Sequence, residues 1–360
     1  MLTAFWSGLG DEFAKRWATR ILTPAFAFWA GGLVVLWWHA HARGVQEHGW
    51  AHELSVTTTW LRGLPGVAQA ALVVVGLILL TASALIAERL TMPLLQLLEG
   101  YWPRPQWVRN QLIAYRRWRR RRWDKRVYGD GGLAIRQRFG GLNTAEYLDL
   151  RTLEAAPSLD PARLQGLRQR RAAGLSAQLT AELGRGRAYL YRSPPSDELG
   201  MPTRLGDVLR AAEYRPLEKY GLDAVICWYA LWLLLPADVK TELVQTRTVL
   251  DNAARGWLWG ALFLVWTPWA WWAIPIGVLI PALTYYVGIL GAATLFGELM
   301  VTAYDLHRFK LYDSLHLPRP LSPVLERKQD GPRVTNLLWG GLSEPGLVYV
   351  EPPADGAGTS

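Results

Sequence analysis

The 360-residue chain has a single cysteine, Cys227. It can form no intrachain disulfide and no Cys-based zinc site, so it depends on neither an oxidising compartment nor a structural metal. Signatures of catalysis are missing too. The glycines at 129, 131, 132, 140 and 141 complete neither a phosphate-binding nor a dinucleotide-binding pattern, and no HExxH is present. No catalytic residue and no cofactor are therefore expected. Strand signals are few, with AYLYR (Ala188 to Arg192) and LVYVE (Leu347 to Glu351) the best of them. The N-terminus lacks a cleavable signal architecture, because acids sit early and no small-residue cleavage motif follows. The most telling absence is of charge: from Gly256 to Gly297, 42 residues pass without Asp, Glu, Lys, Arg or His.

Twenty tryptophans, several times the usual allotment for a soluble chain of this length, accompany that run. Crossing a ~30 Å hydrocarbon core takes about 20 apolar residues. Three stretches meet that length: residues 22–41, residues 67–88 and the 42-residue run, which is long enough for two helices joined by a turn. WTPWAWWAIP is the expected turn, with Pro268 and Pro275 bracketing Trp269, Trp271 and Trp272 like an interfacial aromatic belt. The expected fold is thus mainly α: four transmembrane helices with a mostly helical cytoplasmic domain. Residues 1–21 read as a cytoplasmic amphipathic N-terminus, and 22–90 as a first hairpin with an outer loop at 42–66. The cytoplasmic domain spans 91–255, a second hairpin 256–299, and a cytoplasmic C-terminal segment with a disordered tail 300–360.

The charge is local. Residues 101–128 hold ten of the 39 Lys/Arg and one of the 30 acids, so this block alone carries the chain's net +9 and the remaining 332 residues are balanced. Lys15, Arg16 and Arg20 precede the first span, the block follows the second, Arg247 and Arg255 precede the third, and Arg308 and Lys310 follow the fourth. The loop between the first two spans has only Arg43 and Arg62, and the last turn has none. Positive charge collects on the cytoplasmic side, so both termini and the long middle segment are expected there, in a multi-pass protein of a bacterial inner membrane.

Within the middle segment, Asp160-Pro161 is an N-cap and N1 pair, and Leu164, Leu167, Leu175, Leu179 and Leu183 follow it near helical spacing. GDGGLAIRQRFGGLN (129–143) reads as a loop-rich connector and RSPPSDELGMP (192–202) as a loop. RLGDVLRAAEYRPLEKYG and LPADVKTELVQTRTVLDNA read as helices, the second presenting Val239, Leu243, Thr246 and Leu250 on one face and running into the third span. Leu222 to Leu235 is apolar but, at 14 residues, fits a core or interfacial helix better than a span. The block PTRLGDVLRAAEYRPLEKYGLDAVICWYALWLLLP (Pro202 to Pro236) resembles one found in uncharacterised bacterial multispan membrane proteins, before the last pair of spans. The likeness implies a membrane protein with a cytosolic domain and carries no activity or site residue.

Three constellations are candidates for function. The first is the basic block: Arg116, Arg117, Trp118, Arg119, Arg120, Arg121, Arg122, Trp123, Lys125 and Arg126. Beside a span, these residues point to anionic headgroups or a protein partner, with nucleic acid the less favoured ligand. Val108, Leu112, Tyr115 and Trp118 would form the apolar stripe of an interfacial helix. The second is the histidine group His39, His41, His48 and His52, where His48 and His52 are i, i+4 and offer a weak metal pair. The third is Gly288, Ala292, Ala293 and Gly297, small residues that let helices pack closely within the chain or between copies. No ionisable residue lies near the middle of a span, which disfavours an ion-coupled transporter or an intramembrane hydrolase. Glu213, Glu218 and Asp223 among Arg210, Arg215 and Lys219 read as local helix ion pairs. The expected function is a non-enzymatic membrane anchor, scaffold or sensor working with a partner or as a homo-oligomer. The alternatives are an oligomeric pore gated by the cytoplasmic domain and, third, a lipid-modifying enzyme.

Overall fold

A computed structural model describes residues 24–341 and 349–350. The chain is mainly helical, with 82% helix and no strand among the described residues. In order the helices are α1 (Pro24–His48), α2 (Trp50–Gly63), α3 (Gly66–Glu99), α4 (Gln106–Tyr128), α5 (Leu133–Arg138), α6 (Thr144–Ala155), α7 (Pro161–Ala173), α8 (Ala177–Tyr191), α9 (Arg204–Tyr220), α10 (Ala224–Leu234), α11 (Ala237–Leu262), α12 (Ala273–Leu283), α13 (Leu290–His307), α14 (Phe309–Ser314), α15 (Pro323–Leu325) and α16 (Gly331–Gly340). They form two compact units. One comprises the described part of Met1–Gln96 with Thr246–Ala292; the other comprises Leu97–Gln245 with the described part of Ala293–Ser360.

Aromatic side chains build the first unit. Phe28 of α1 meets Trp259, Phe263 and Trp266 at ring separations of 5.2, 6.5 and 5.6 Å. Two glycines make room for them: a Cβ on Gly31 would lie 2.7 Å from Phe263, and one on Gly32 would lie 2.1 Å from Trp266. Trp29 Nε1 donates to Ser83 Oγ at 3.1 Å, which satisfies the polar end of the indole. After α11 the chain makes a 3₁₀ turn at Phe263–Trp266, and α12 begins at Ala273. The reversal therefore falls where the tryptophan-rich segment predicts it. Pro281 inside α12 has no N–H to give the previous turn, and the helix widens into a π-turn at Thr284–Ile289. Thr284 Oγ1 donates to the carbonyls of Ile280 and Pro281 at 2.8 and 3.1 Å. Two helices are long and apolar enough to cross a membrane by length and composition, Gly66–Glu99 and the continuous Ala273–His307.

Among the described residues, apolar clusters hold the second unit together. The largest joins α9, α10, α11, α13, α14 and α16 through Leu222, Cys227, Leu231, Leu243, Tyr304, Leu311, Tyr312 and Val334, among others. The Leu222 to Leu235 stretch forms the 11-residue α10, which buries Ala224, Cys227 and Leu231. Asp223 caps it by accepting from Val225 and Ile226 N–H at 2.9 and 3.2 Å. The last helix docks by backbone contact. A Cβ on Gly331 would lie 1.9 Å from the Tyr220 carbonyl oxygen, and one on Gly221 (φ 72°) 2.5 Å from that of Arg327. Beside this contact Arg308 Nε donates to the buried Glu326 at 2.8 Å, and Tyr220 donates to Asp305 at 2.7 Å. Because backbone cannot step aside as a side chain can, Gly331→Ala is expected to cost about 1–3 kcal/mol. Faster amide exchange over Gly331–Gly340 in the variant is the measurement that checks this.

Several expectations need correction. AYLYR is not a strand: Ser176 caps α8, and the helix continues through Tyr191. Its aromatic and β-prone residues pack against α4, so tertiary contact overrides local preference. The leucine pattern from Leu164 to Leu183 is two helices, broken at Gly174, whose φ of 67° suits glycine. The connector 129–143 contains the short helix α5, and most of the outer loop 42–66 is helical in α1 and α2. Among the charges of α9 only Arg210–Glu213 is a local pair (3.5 Å); Lys219 reaches Asp305 instead. The start of the first span, residues 1–21, most of LVYVE and the C-terminal tail lie outside the described residues.

Candidate functional site: the basic helix

Helix α4 carries the basic block. It begins after Pro105, which cannot continue a preceding helix, and its C-cap is Gly129. It packs along α8 and along the 192–202 loop, and the register of the contacts is antiparallel. The inner line is the buried Ile113 and Val127 with the half-buried Trp123, and Arg116 and Arg120 lie at the positions between. Gly186 of α8 admits this face: a Cβ there would lie 2.6 Å from Val127 and 2.9 Å from Trp123.

Four of the arginines are met by three acids, while the buried Nε of Arg109 and of Arg117 has no hydrogen-bond partner among the described residues. Arg116 donates to Asp207 Oδ2 at 2.6 Å from Nε and 2.5 Å from Nη2. The other oxygen of Asp207 accepts from the Met201 N–H at 2.9 Å. Asp207 is only 4% exposed, and burial raises its carboxyl above the ordinary carboxylate value, outweighing Arg116 and the Met201 bond. Arg120 and Arg121 both hold Asp197, at 3.3 Å from Arg120 Nη1 and 3.0 Å from Arg121 Nε. Arg120 also donates to the Pro195 carbonyl. Arg126 and Glu182 form a two-pronged pair at 2.8 and 3.1 Å. The guanidinium bonds hold Asp197 and Glu182 below the usual carboxylate range. Asp197 therefore adds stability above its ordinary pKa near 4 and loses it as the pH falls through the depressed value. Acid unfolding of Asp197→Asn, followed by tryptophan fluorescence, is expected to lack that portion of the loss.

The outward face is different. Trp107, Gln111, Tyr115, Trp118, Arg122 and Lys125 recur at spacings of four, four, three, four and three, one stripe of the helix. Trp107 is 65% exposed, and Tyr115 and Trp118 are each 54% exposed, with their rings stacked at 5.9 Å. Arg119 lies over Tyr189 at 5.3 Å and Arg122 over Trp118 at 5.6 Å. Such contacts orient a guanidinium without cancelling its charge. Arg119, Arg122 and Lys125 pair with no acid among the described residues, and they line an open groove of about 790 Å³ with Tyr115, Trp118, Trp123 and the paired Arg126 and Glu182. Of the predicted stripe, Tyr115 and Trp118 lie outward, while Val108 and Leu112 are half-buried. Sequence reasoning missed Glu182, Asp197 and Asp207, which lie 56 to 91 residues from their arginines. The only local sign is the capped helix start at Thr203, where Asp207 falls in the first turn.

The other candidates are placed as follows. His48 and His52 have rings 5.2 Å apart, but no three His, Cys, Asp or Glu gather as a metal group among the described residues. His41 stacks on Trp37 at 5.1 Å, in a cluster where Trp50 also stacks on Trp37 and Trp38. Gly288 faces Ala253 and Gly297 faces Ala212, at Cβ separations of 3.2 and 2.8 Å were a Cβ added, and Ala292 and Ala293 are buried. All four small residues are thus engaged inside the chain. Burial pushes the Cys227 thiol up to about 11, so at neutral pH it is inert packing. No family model, no curated protein and no solved structure matches the chain.

Proposed function

We propose that the chain is a bacterial inner-membrane protein with four spans and a cytoplasmic helical domain, and that it works as a non-enzymatic anchor or sensor. In this reading the domain receives a partner or signal and couples it to the membrane. The observation that carries it is the state of α3: of its most apolar 18-residue window only 6% is buried. Leu72, Val73, Val74, Val75, Leu77, Ile78 and Leu79 are all exposed. A face this apolar and this continuous is far larger than soluble surfaces tolerate, and lipid satisfies it on every side. The uncharged run through α12 and the start of α13, with the placement of Lys and Arg, supports the remaining spans and the orientation.

The pore reading has less support, because the small residues that would line a close helix contact between copies already pack within the chain. A reporter fused at Gly141 is expected to report from the cytoplasm and one at Gly63 from the outside. A periplasmic signal from Gly141 overturns the topology. Defined oligomers that leak dye from liposomes would favour the pore instead.

A further inference from the structure

Seven of the ten basic residues of 101–128 fall into two sets with different work. Arg116, Arg120, Arg121 and Arg126 are spent on Asp207, Asp197 and Glu182 and fix α4 to its own domain. Arg119, Arg122 and Lys125 line the open groove with Tyr115 and Trp118 and pair with no acid among the described residues; the one carboxylate on the groove, Glu182, is taken by Arg126. We propose that this outward stripe of α4 is a docking face for an anionic phospholipid leaflet, with Arg119, Arg122 and Lys125 taking the phosphate headgroups and Trp107, Tyr115 and Trp118 entering the headgroup layer. The proposal rests on the reading of the chain as membrane-spanning.

Three features select lipid over other polyanions. First, the stripe is graded: its N-terminal half is aromatic and its C-terminal half cationic. Phosphate contacts alone, as on a nucleic-acid duplex, would leave Trp107 and Tyr115 with nothing to cover them. Exposed Trp and Tyr rings are suited to headgroup depth, where the ring is half in hydrocarbon and the polar edge stays wet. Second, the guanidiniums lie over rings, Arg122 on Trp118 and Arg119 on Tyr189, so charge and apolar surface meet at one level, as they do at a leaflet surface. Third, the opposite face of α4 is fixed by packing and ion pairs, so the stripe is already formed and needs no folding on contact.

The full-length protein in lipid nanodiscs tests this, with single spin labels read for collision with a lipid-phase or a water-phase relaxant. One label sits on the stripe (Gln111→Cys) and one in the middle of α3 (Ile78→Cys), both in a Cys227→Ala background. In discs containing phosphatidylglycerol, label 111 is expected to move into contact with the lipid phase. In phosphatidylcholine discs, in 1 M salt, or in the variant Arg119→Gln/Arg122→Gln/Lys125→Gln, it is expected to stay in water. Loss of three charges lowers docking by on the order of a hundredfold. If label 78 reads lipid while label 111 reads water in both lipid compositions, the docking face is wrong and the membrane reading stands. If label 78 also reads water, the membrane reading itself fails. Shielding of label 111 by added RNA or by an acidic soluble protein, with no response to phosphatidylglycerol, overturns the proposal in favour of those partners.

Discussion

Asp207→Ala, on α9, is expected to destabilise the helical unit more than any single change on α4, by about 3–5 kcal/mol. Breaking a buried ion pair from one side leaves the other charge without a partner. Arg116 is only 15% exposed on its side chain, so its guanidinium would keep no acid and little water. The Met201 N–H would lose its acceptor at the same moment. At roughly 2–4 °C per kcal/mol for a domain of this size, the midpoint in detergent should fall by about 10 °C. Asp207→Asn separates the two losses, because its amide oxygen still accepts from Met201 while the charge is gone. It should recover part of the stability. The paired replacement Arg116→Met/Asp207→Leu is the decisive companion: apolar substitutes for a buried pair are often neutral or better. A paired variant as unstable as Asp207→Ala would mean that shape at this contact, and not charge, sets the stability. Because burial raises the Asp207 carboxyl, this group favours the folded state less as the pH rises through the shifted value, and in Asp207→Asn that slope should vanish.

That pair also shows what a sequence can and cannot disclose. Helix starts were legible because capping is local: Asp160 accepts from the Arg163 N–H at 2.9 Å, as Asp-Pro at those positions implies. The face of α11 was legible for the same reason, since a 3.6-residue period puts Leu243, Thr246 and Leu250 inward. The reversal between α11 and α12 was marked by proline and tryptophan. The role of the arginine block was legible only in half. Net charge in a window of 28 residues cannot reveal that Asp197, Asp207 and Glu182 return from far along the chain to meet it. The block therefore looks like a uniform cationic surface, whereas four of its guanidiniums are consumed in holding the domain together. The small residues of the π-turn and α13 carried the same ambiguity: spacing shows that a close approach is allowed, and only the fold shows that Ala253 and Ala212 take it.

Arginine placed in the middle of α3 gives the other large effect and separates a bilayer from every aqueous alternative. Ile78 is 60% exposed. On a soluble protein, replacing an exposed Ile by Arg changes stability by no more than about 0.5 kcal/mol, and it would improve solubility. At the centre of a spanning helix the same change costs about 2.5–3.5 kcal/mol of insertion, enough to remove most of the protein from the carbonate-washed membrane fraction. A series of arginines along the helix sharpens the contrast. If α3 is covered by another copy or by a partner, the penalties follow the covered side and rise and fall every three to four residues. If lipid surrounds it, the penalties follow depth: Val67→Arg is tolerated near the end of the helix by snorkelling. Val74→Arg and Ile78→Arg, four residues apart on one face, are both costly, and so is Gly76→Arg on the opposite face at the same depth, where a Cβ would meet nothing within 4 Å. A penalty that tracks depth and ignores helical face is a result only a bilayer produces.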